Sequence, residues 1–230
     1  MVQLNYHPYE EACTGLRSII EKSRADSAVH AWFLNELEHY LYDPNSPYRN
    51  DEYYIAVLEA ITTGKTEKRT DQTRALFRLE MLRKNRLGTL AQNIHFQLDT
   101  GKSSALYDID SEYTLIVFYD PECETCHEIL KEMASSKFIK EHVSGGKTQK
   151  ASLKVLTICT NGTKKSWKKV IPMLPPNWTN GYDVGESVIK KKLYDLRAFP
   201  SLYLLGKDKM VILKDAPLTT VINYLYNNIL

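Results

Sequence analysis

Two cysteines separated by two residues stand between a buried-strand pattern and a helical pattern. The strand pattern is the apolar run Tyr113–Tyr119, and Cys123 and Cys126 follow it after a short turn. The helical pattern begins at the cysteines and reaches Ser135. A helix amino terminus carries partial positive charge and unpaired N–H groups, which favour the thiolate, the form of cysteine that attacks disulfides. The arrangement therefore predicts thiol–disulfide exchange chemistry.

Composition and charge exclude several other classes of protein. The 230 residues suffice for one or two domains with a core that needs no disulfide staples. The net charge of +2 indicates neither nucleic acid nor an anionic membrane as a partner. No apolar run approaches the roughly 20 residues of a membrane span. The first eight residues lack the basic and apolar regions of a signal peptide. The remaining cysteines, Cys13 and Cys159, are expected to be buried thiols.

The first part of the chain reads as four helices. Asp26 or Ser27 can cap the second of them, and Asn50 or Asp51 can cap the third. We place the end of this part at Gly88. The predicted helices cover about 8–22, 27–41, 51–62 and 70–85, and the apolar side of the second consists of Val29, Trp32, Phe33, Leu37 and Leu41.

The pattern changes after Gly88 to strands that alternate with helices. The run His95–Leu98 lies in an alternating segment, whereas Leu153–Cys159 is apolar throughout, as a strand buried on both faces would be. A hairpin turn at 206–209 joins two further strands. The predicted strands cover 93–98, 113–119, 153–159, 201–205 and 210–213; besides the helix that ends at Ser135, helices are predicted at 163–170, 184–193 and 217–230.

This order of elements, with Asp120-Pro-Glu-Cys-Glu-Thr-Cys126 and Ala198-Phe-Pro-Ser201, resembles the thioredoxin family. The segments 175–178 and 193–200 resemble its membrane-associated and periplasmic thiol–disulfide oxidoreductase branch. The first half, with the segment 46–54, resembles an uncharacterised helical domain of cell-envelope proteins in some Gram-negative bacteria. The resemblance covers essentially the whole chain. It implies an all-α accessory domain over 1–88 and, over 89–230, an α/β thioredoxin-like fold with a central mixed sheet flanked by helices.

The resemblance also implies roles for individual residues. Cys123 would attack a client disulfide and Cys126 would resolve the mixed disulfide, without cofactor or metal. Pro200 would be a cis-proline facing the cysteines, and the Phe199 backbone would hold an extended client chain.

The same resemblance implies partners and a location. The partners would be proteins with thiols or disulfides, together with an electron-donor protein, and nucleic acid is not expected. The location would be the periplasm or outer cell envelope, and a segment outside this sequence could tether the protein to a membrane.

Three alternatives compete with the redox interpretation. Cys123-Glu-Thr-Cys126-His127 matches the c-type haem attachment pattern. Zinc is the second alternative, although a structural site needs four ligands and only two cysteines cluster. The third is a non-catalytic scaffold whose helical domain recognises a partner through its tyrosines, although core packing is the commoner role of such residues. These tyrosines are Tyr40, Tyr42, Tyr48, Tyr53 and Tyr54.

The surroundings of the cysteines depart from the usual thioredoxin pattern. Glu122 and Glu124 flank Cys123 with two carboxylates that oppose its ionisation, whereas a charged His127 would favour it. Val117 occupies the position where thioredoxins carry a buried acid, which leaves Asp120 or Glu128 as candidate proton acceptors. We therefore expect a slow or specialised exchanger, closer to a reductant than to a strong oxidant.

Overall fold

The computed structural model describes residues 9–64, 69–144 and 152–229. They divide between Arg83 and Lys84 into two compact units, a little ahead of Gly88, where the sequence analysis places the domain boundary. Within these described ranges, no helix is long and apolar enough to span a bilayer. The ends of the first and last predicted helices, Pro8 and Leu230, lie outside the described residues.

The described part of the first unit is helical. Its helices begin where side chains satisfy the free N–H groups of the first turn. Asp26 accepts hydrogen bonds from the Ala28 and Val29 backbones, and Asn50 accepts one from the Tyr53 backbone. The helices are α1 (Tyr9–Ser23), α2 (Ser27–Leu41), α3 (Asp51–Thr63) and α4 (Arg69–Leu82).

The core of this unit contains most of α3 and one face each of α1, α2 and α4. Tyr53 and Tyr54 are buried in it, and Tyr54 stacks on Tyr42, so these three tyrosines pack in or against the core. Tyr48 is 48% exposed. The predicted apolar side of α2 is only partly right. Leu37 and Leu41, one turn apart, are buried, whereas Val29 and Trp32 are 44% and 56% exposed.

Seven strands of the described second unit form one mixed sheet in the order β2-β1-β5-β4-β3-β6-β7. The central strands β3, β4 and β5 run parallel, and the pairs on either side of them are antiparallel. The strands are β1 (His95–Leu98), β2 (Ser103–Ala105), β3 (Tyr113–Tyr119), β4 (Leu153–Cys159), β5 (Thr179–Tyr182), β6 (Ser201–Leu205) and β7 (Val211–Leu213).

Helices cover both faces of this sheet. Alternate residues of β3 point to opposite faces: Leu115, Val117 and Tyr119 join one buried cluster, whereas Ile116 and Phe118 join the other. Helices α5, α6, α7 and α9 contribute to the first cluster and α8 to the second. These helices are α5 (Glu124–Ser135), α6 (Lys137–Ser144), α7 (Lys164–Val170), α8 (Ser187–Lys190) and α9 (Leu218–Ile229). The predicted fold class is confirmed.

Three elements of this unit escape the sequence analysis. Strand β2 is only Ser-Ser-Ala, and β5 is Thr-Asn-Gly-Tyr, so neither shows an apolar alternation. Helix α6 follows α5 after the single residue Ser136. Within the helix predicted over 184–193, the structure contains only α8, which is a single turn.

Candidate active site

The turn between β3 and α5 places Cys123 at the amino end of the helix. Asp120 organises this turn, since its Oδ1 accepts the Glu122 N–H at 2.8 Å and its carbonyl oxygen accepts the Cys123 N–H at 3.2 Å. Cys123 is the N-cap residue of α5, with an extended backbone. The structure therefore confirms the strand, turn and helix arrangement expected around the two cysteines.

Cys123 and Cys126 are free thiols with different exposure. Cys123 is half-buried, and its sulfur accepts the Cys126 backbone N–H at 3.3 Å. Cys126 has no exposed surface, because it shares the inner face of α5 with Leu130 and Met133. A disulfide in solution can therefore reach the Cys123 sulfur, whereas the Cys126 sulfur is shielded from it.

The segment before β6 completes the site. The Phe199–Pro200 peptide bond is cis, and both residues are half-buried. The Cys123 thiol points at the Phe199 carbonyl oxygen, 3.9 Å from its Sγ. The structure thus brings Cys123, Cys126 and Phe199 together, with Pro200 next in the chain.

Glu122, Glu124 and His127, the expected modulators of Cys123, lie on the exposed rim of the same turn. The His127 Nε2 is 2.8 Å from the Pro121 carbonyl oxygen. A carbonyl only accepts hydrogen bonds, so this nitrogen carries the proton. The imidazole is therefore held against the turn.

The rival sites fit this geometry poorly. An axial haem ligand has to offer a ring nitrogen lone pair to iron; the His127 Nε2 is engaged as a donor, which leaves only Nδ1 to supply one. Thioether attachment would also have to reach the fully buried Cys126. In the part of the chain that the structure describes, no three His, Cys, Asp or Glu side chains cluster as a metal site would require.

Burial opposes ionisation of the Cys126 thiol. It raises the pKa of this thiol well above its ordinary value, and the hydrogen bond with the Cys123 sulfur raises it further. The Asp120 backbone hydrogen bond acts in the opposite direction, whereas the negative charge of Asp120 adds to the rise. Cys126 is therefore a neutral thiol at neutral pH in this reduced state.

Two buried neighbours share this environment. Burial raises the pKa of Cys159 to about 12, with smaller contributions from the charges of Asp120 and Asp183. Burial likewise raises the pKa of Tyr119, and the nearby Cys159 and Cys126 thiols add to it. As expected, Cys13 and Cys159 are buried.

Asp120 is the carboxylate whose charge acts on Cys126. Val117 is fully buried and apolar, so the usual acid position holds none. The Asp120 Oδ2 accepts a hydrogen bond from Asn161 Nδ2 at 2.6 Å, and its charge acts on Cys126. Asn161 is not among the site residues predicted from the sequence. Its signal was available, since it follows the carboxyl end of β4, the parallel neighbour of β3.

Comparison with solved structures places the chain in a family. A thioredoxin-like protein from Bacteroides caccae is 36% identical, with a TM-score of 0.92, over 98% of this chain and 79% of its own length. The chain belongs to the thioredoxin-like proteins. A model of a domain of unknown function, DUF5106, matches residues 2–85, so the thioredoxin-like sheet follows a helical domain of a known but functionally unassigned type.

Two further solved structures each cover 62% of the chain. The C-terminal domain of an uncharacterised protein from Bacteroides fragilis is 42% identical, with a TM-score of 0.58, over 62% of this chain and 98% of its own. A thiol:disulfide interchange protein from a Bacteroides species is 19% identical, with a TM-score of 0.52, over 62% of this chain and 90% of its own; this likeness shows the fold alone. None of the curated proteins matches.

Proposed function

We propose that this protein is a thiol–disulfide oxidoreductase that reduces disulfides of protein clients through Cys123 and Cys126. One observation carries the proposal: the half-exposed Cys123 sulfur caps a helix, accepts the Cys126 N–H at 3.3 Å and lies 3.9 Å from the Phe199 carbonyl oxygen. The positive helix end stabilises a thiolate there. A client chain extended along Phe199 would present its disulfide to that sulfur.

The reaction proceeds by two exchanges of sulfur bonds. The Cys123 thiolate attacks one client sulfur, forms a mixed disulfide and expels the other client sulfur as a thiolate. Cys126 then loses its proton and attacks the Cys123 sulfur, which forms the Cys123–Cys126 disulfide and releases the second client thiolate. The two electrons gained by the client come from the protein dithiol, and a donor protein with a dithiol restores it.

The second exchange needs a proton acceptor, because the Cys126 thiol resists ionisation. Asp120 serves best among the two candidates from the sequence. Its carboxylate is fixed by the Glu122 N–H and Asn161, and its charge acts on Cys126, whereas Glu128 is exposed on α5. In this scheme Asp120 takes the proton from Cys126, directly or through water, and later returns it to solvent.

The cellular setting belongs to the same proposal. Clients with disulfides and a separate electron-donor protein fit a periplasmic or outer-envelope location, because disulfides persist in oxidising compartments. The resemblance of the helical half to envelope proteins points the same way, and a tether to the membrane would lie outside this sequence. Fractionation of cells that produce the native protein tests this location; recovery with cytosolic markers would refute it.

Turnover of a protein disulfide tests the activity itself. We expect the wild type to reduce insulin in the presence of dithiothreitol and Cys123→Ser to lose this activity. Cys159→Ser is the control, since Cys159 is another free thiol, is buried, and lies outside the Cys-x-x-Cys motif. Equal rates for wild type and Cys123→Ser would instead support the scaffold interpretation.

A further inference from the structure

A buried arginine lies between two carboxylates close to Pro200. The Arg197 Nε is 3.4 Å from the Asp195 Oδ2, and one of its terminal nitrogens is 3.6 Å from the Asp215 Oδ2. All three side chains are less than a tenth exposed. Charged groups leave water only at a cost that partners must offset, so this cluster of Asp195, Arg197 and Asp215 needs an explanation.

Asp215 joins both ends of the segment that carries Phe199. Its Oδ2 faces Arg197, two residues before Phe199, and its Oδ1 accepts the Ser201 hydroxyl at 2.6 Å, directly after Pro200. Ser201 is fully buried at the start of β6. Asp215 itself lies between β7 and α9 with a positive φ of 47°. The Asp215 carboxylate thus contacts the residue before and the residue after the segment 198–200.

Stability alone accounts poorly for this cluster. Strand β6 is already anchored, because Ser201 pairs with Phe118 of β3 and the Leu202 carbonyl accepts the Ala216 N–H. Buried ion pairs are also weak evidence for a gain in stability, since desolvation offsets the attraction. The ladder of β6, however, begins only at Ser201. The preceding residues carry the carbonyl that faces the Cys123 sulfur.

We propose that Asp215 is a positioning residue for client chains: through Arg197 and Ser201 it fixes the Phe199 backbone beside Cys123. This inference rests on the proposed function and deepens it. A protein client must align its backbone with Phe199 as well as place its sulfur at Cys123. A small disulfide needs only the sulfur. Asp215 therefore matters for protein clients and hardly at all for small disulfides.

The test compares two substrates, insulin and the neutral 2-hydroxyethyl disulfide, in the full chain. Asp215→Ala should lower kcat/KM for insulin by about tenfold to a hundredfold, mostly through KM. A displacement of the client backbone by about 1 Å from its reactive position already has effects of this size. The rate with 2-hydroxyethyl disulfide should stay within about twofold, and so should the equilibrium constant with glutathione. Ser201→Ala should shift the same ratio in the same direction.

Asp183→Ala is the matched control. Asp183 is an equally buried carboxylate that accepts the Ser187 and Val188 N–H groups at the start of α8, so its loss perturbs folding without touching residues 198–200. It should leave the ratio of the two rates unchanged. If Asp215→Ala does not fold, Asp215→Asn, which keeps the volume but removes the charge facing Arg197, decides the question.

Two outcomes overturn the inference while the proposed function stands. Asp215 variants could lower both rates equally, which would make the cluster merely structural, or lower neither. A different result marks the failure of the proposed function: the wild type would then reduce neither substrate faster than Cys123→Ser, and the inference would fall with it.

Discussion

Cys123 and Cys126 carry the same side chain in two different surroundings. Cys123 caps α5 and is partly exposed to solvent. Cys126 lies in the first turn of α5, is fully buried and has a raised pKa. In the proposed reaction, burial separates the roles of the two thiols, because the sulfur that a client can reach would attack and the hidden one could act only on a neighbour. Two predictions test this division at the scale of single residues.

Removal of the second thiol should stop the reaction halfway. With Cys126→Ser, the mixed disulfide between Cys123 and a client has no resolving thiol and should accumulate. Non-reducing electrophoresis and mass spectrometry of the mutant mixed with a disulfide-bonded client would detect the adduct. The double variant that also carries Cys123→Ser should show none. An adduct through Cys159 in place of Cys123 would refute the assignment.

The rate of the resolving step should keep increasing at higher pH than it would with a cysteine of ordinary pKa. Because burial raises the Cys126 pKa, the thiolate fraction, and with it the rate, should keep rising past pH ~8.5, the usual cysteine pKa. The rate is the concentration-independent second phase of thionitrobenzoate release from Ellman's reagent. A plateau near pH ~8 would contradict this prediction.

At the scale of elements, the close packing of β5 in the sheet depends on a residue without a side chain. A Cβ at Gly181 would lie 2.6 Å from Ile158 Cδ1 and 2.7 Å from the Phe96 ring. These contacts belong to the neighbouring strands β4 and β1. Glycine is therefore required here by close approach of side chains, and not by backbone conformation.

Gly181→Ala should therefore destabilise the second unit by about 1–3 kcal/mol, the usual effect of overpacking. Urea denaturation followed by circular dichroism measures the change. Gly15→Ala is the control within a helix: a Cβ there meets nothing within 4 Å, and alanine favours helix over glycine by roughly 0.5–1 kcal/mol. Unchanged stability for Gly181→Ala would show that β5 is looser than described.

The elements also show which parts of the fold the sequence can predict. Strands β3 and β4 are buried on both faces and read as continuous apolar runs, and Asp26 and Asn50 mark helix starts by their side-chain chemistry. Strand β5 has no recognisable sequence pattern, because its position is set by neighbouring strands from distant parts of the chain. The same holds for Asp215, whose importance appears only when β7 brings it beside Ser201.

At the scale of the whole molecule, the catalytic proposal needs only the second unit. All the residues proposed to act lie between Asp120 and Asp215, within the unit that begins at Lys84. The helical unit would then select or position clients.

A fragment of residues 84–230 should accordingly fold and keep its rate with 2-hydroxyethyl disulfide within about threefold of the full chain, since attack at Cys123 involves only residues of this unit. Stopped-flow kinetics and circular dichroism measure both properties. A folded fragment that has lost the small-disulfide reaction would show that the helical unit contributes to the chemistry. Loss confined to protein clients would support its role in selection.

The reduction potential of the Cys123–Cys126 pair decides whether these thiols can exchange disulfides with a client. Equilibration of the full chain in glutathione or dithiothreitol buffers, followed by thiol alkylation and mass spectrometry, gives the oxidised fraction. We predict a two-electron transition at a reducing potential, nearer about −270 mV, as in thioredoxin, than about −120 mV, as in strong oxidants. A pair that stays fully reduced across the whole range, with no internal disulfide at any potential, would contradict the account.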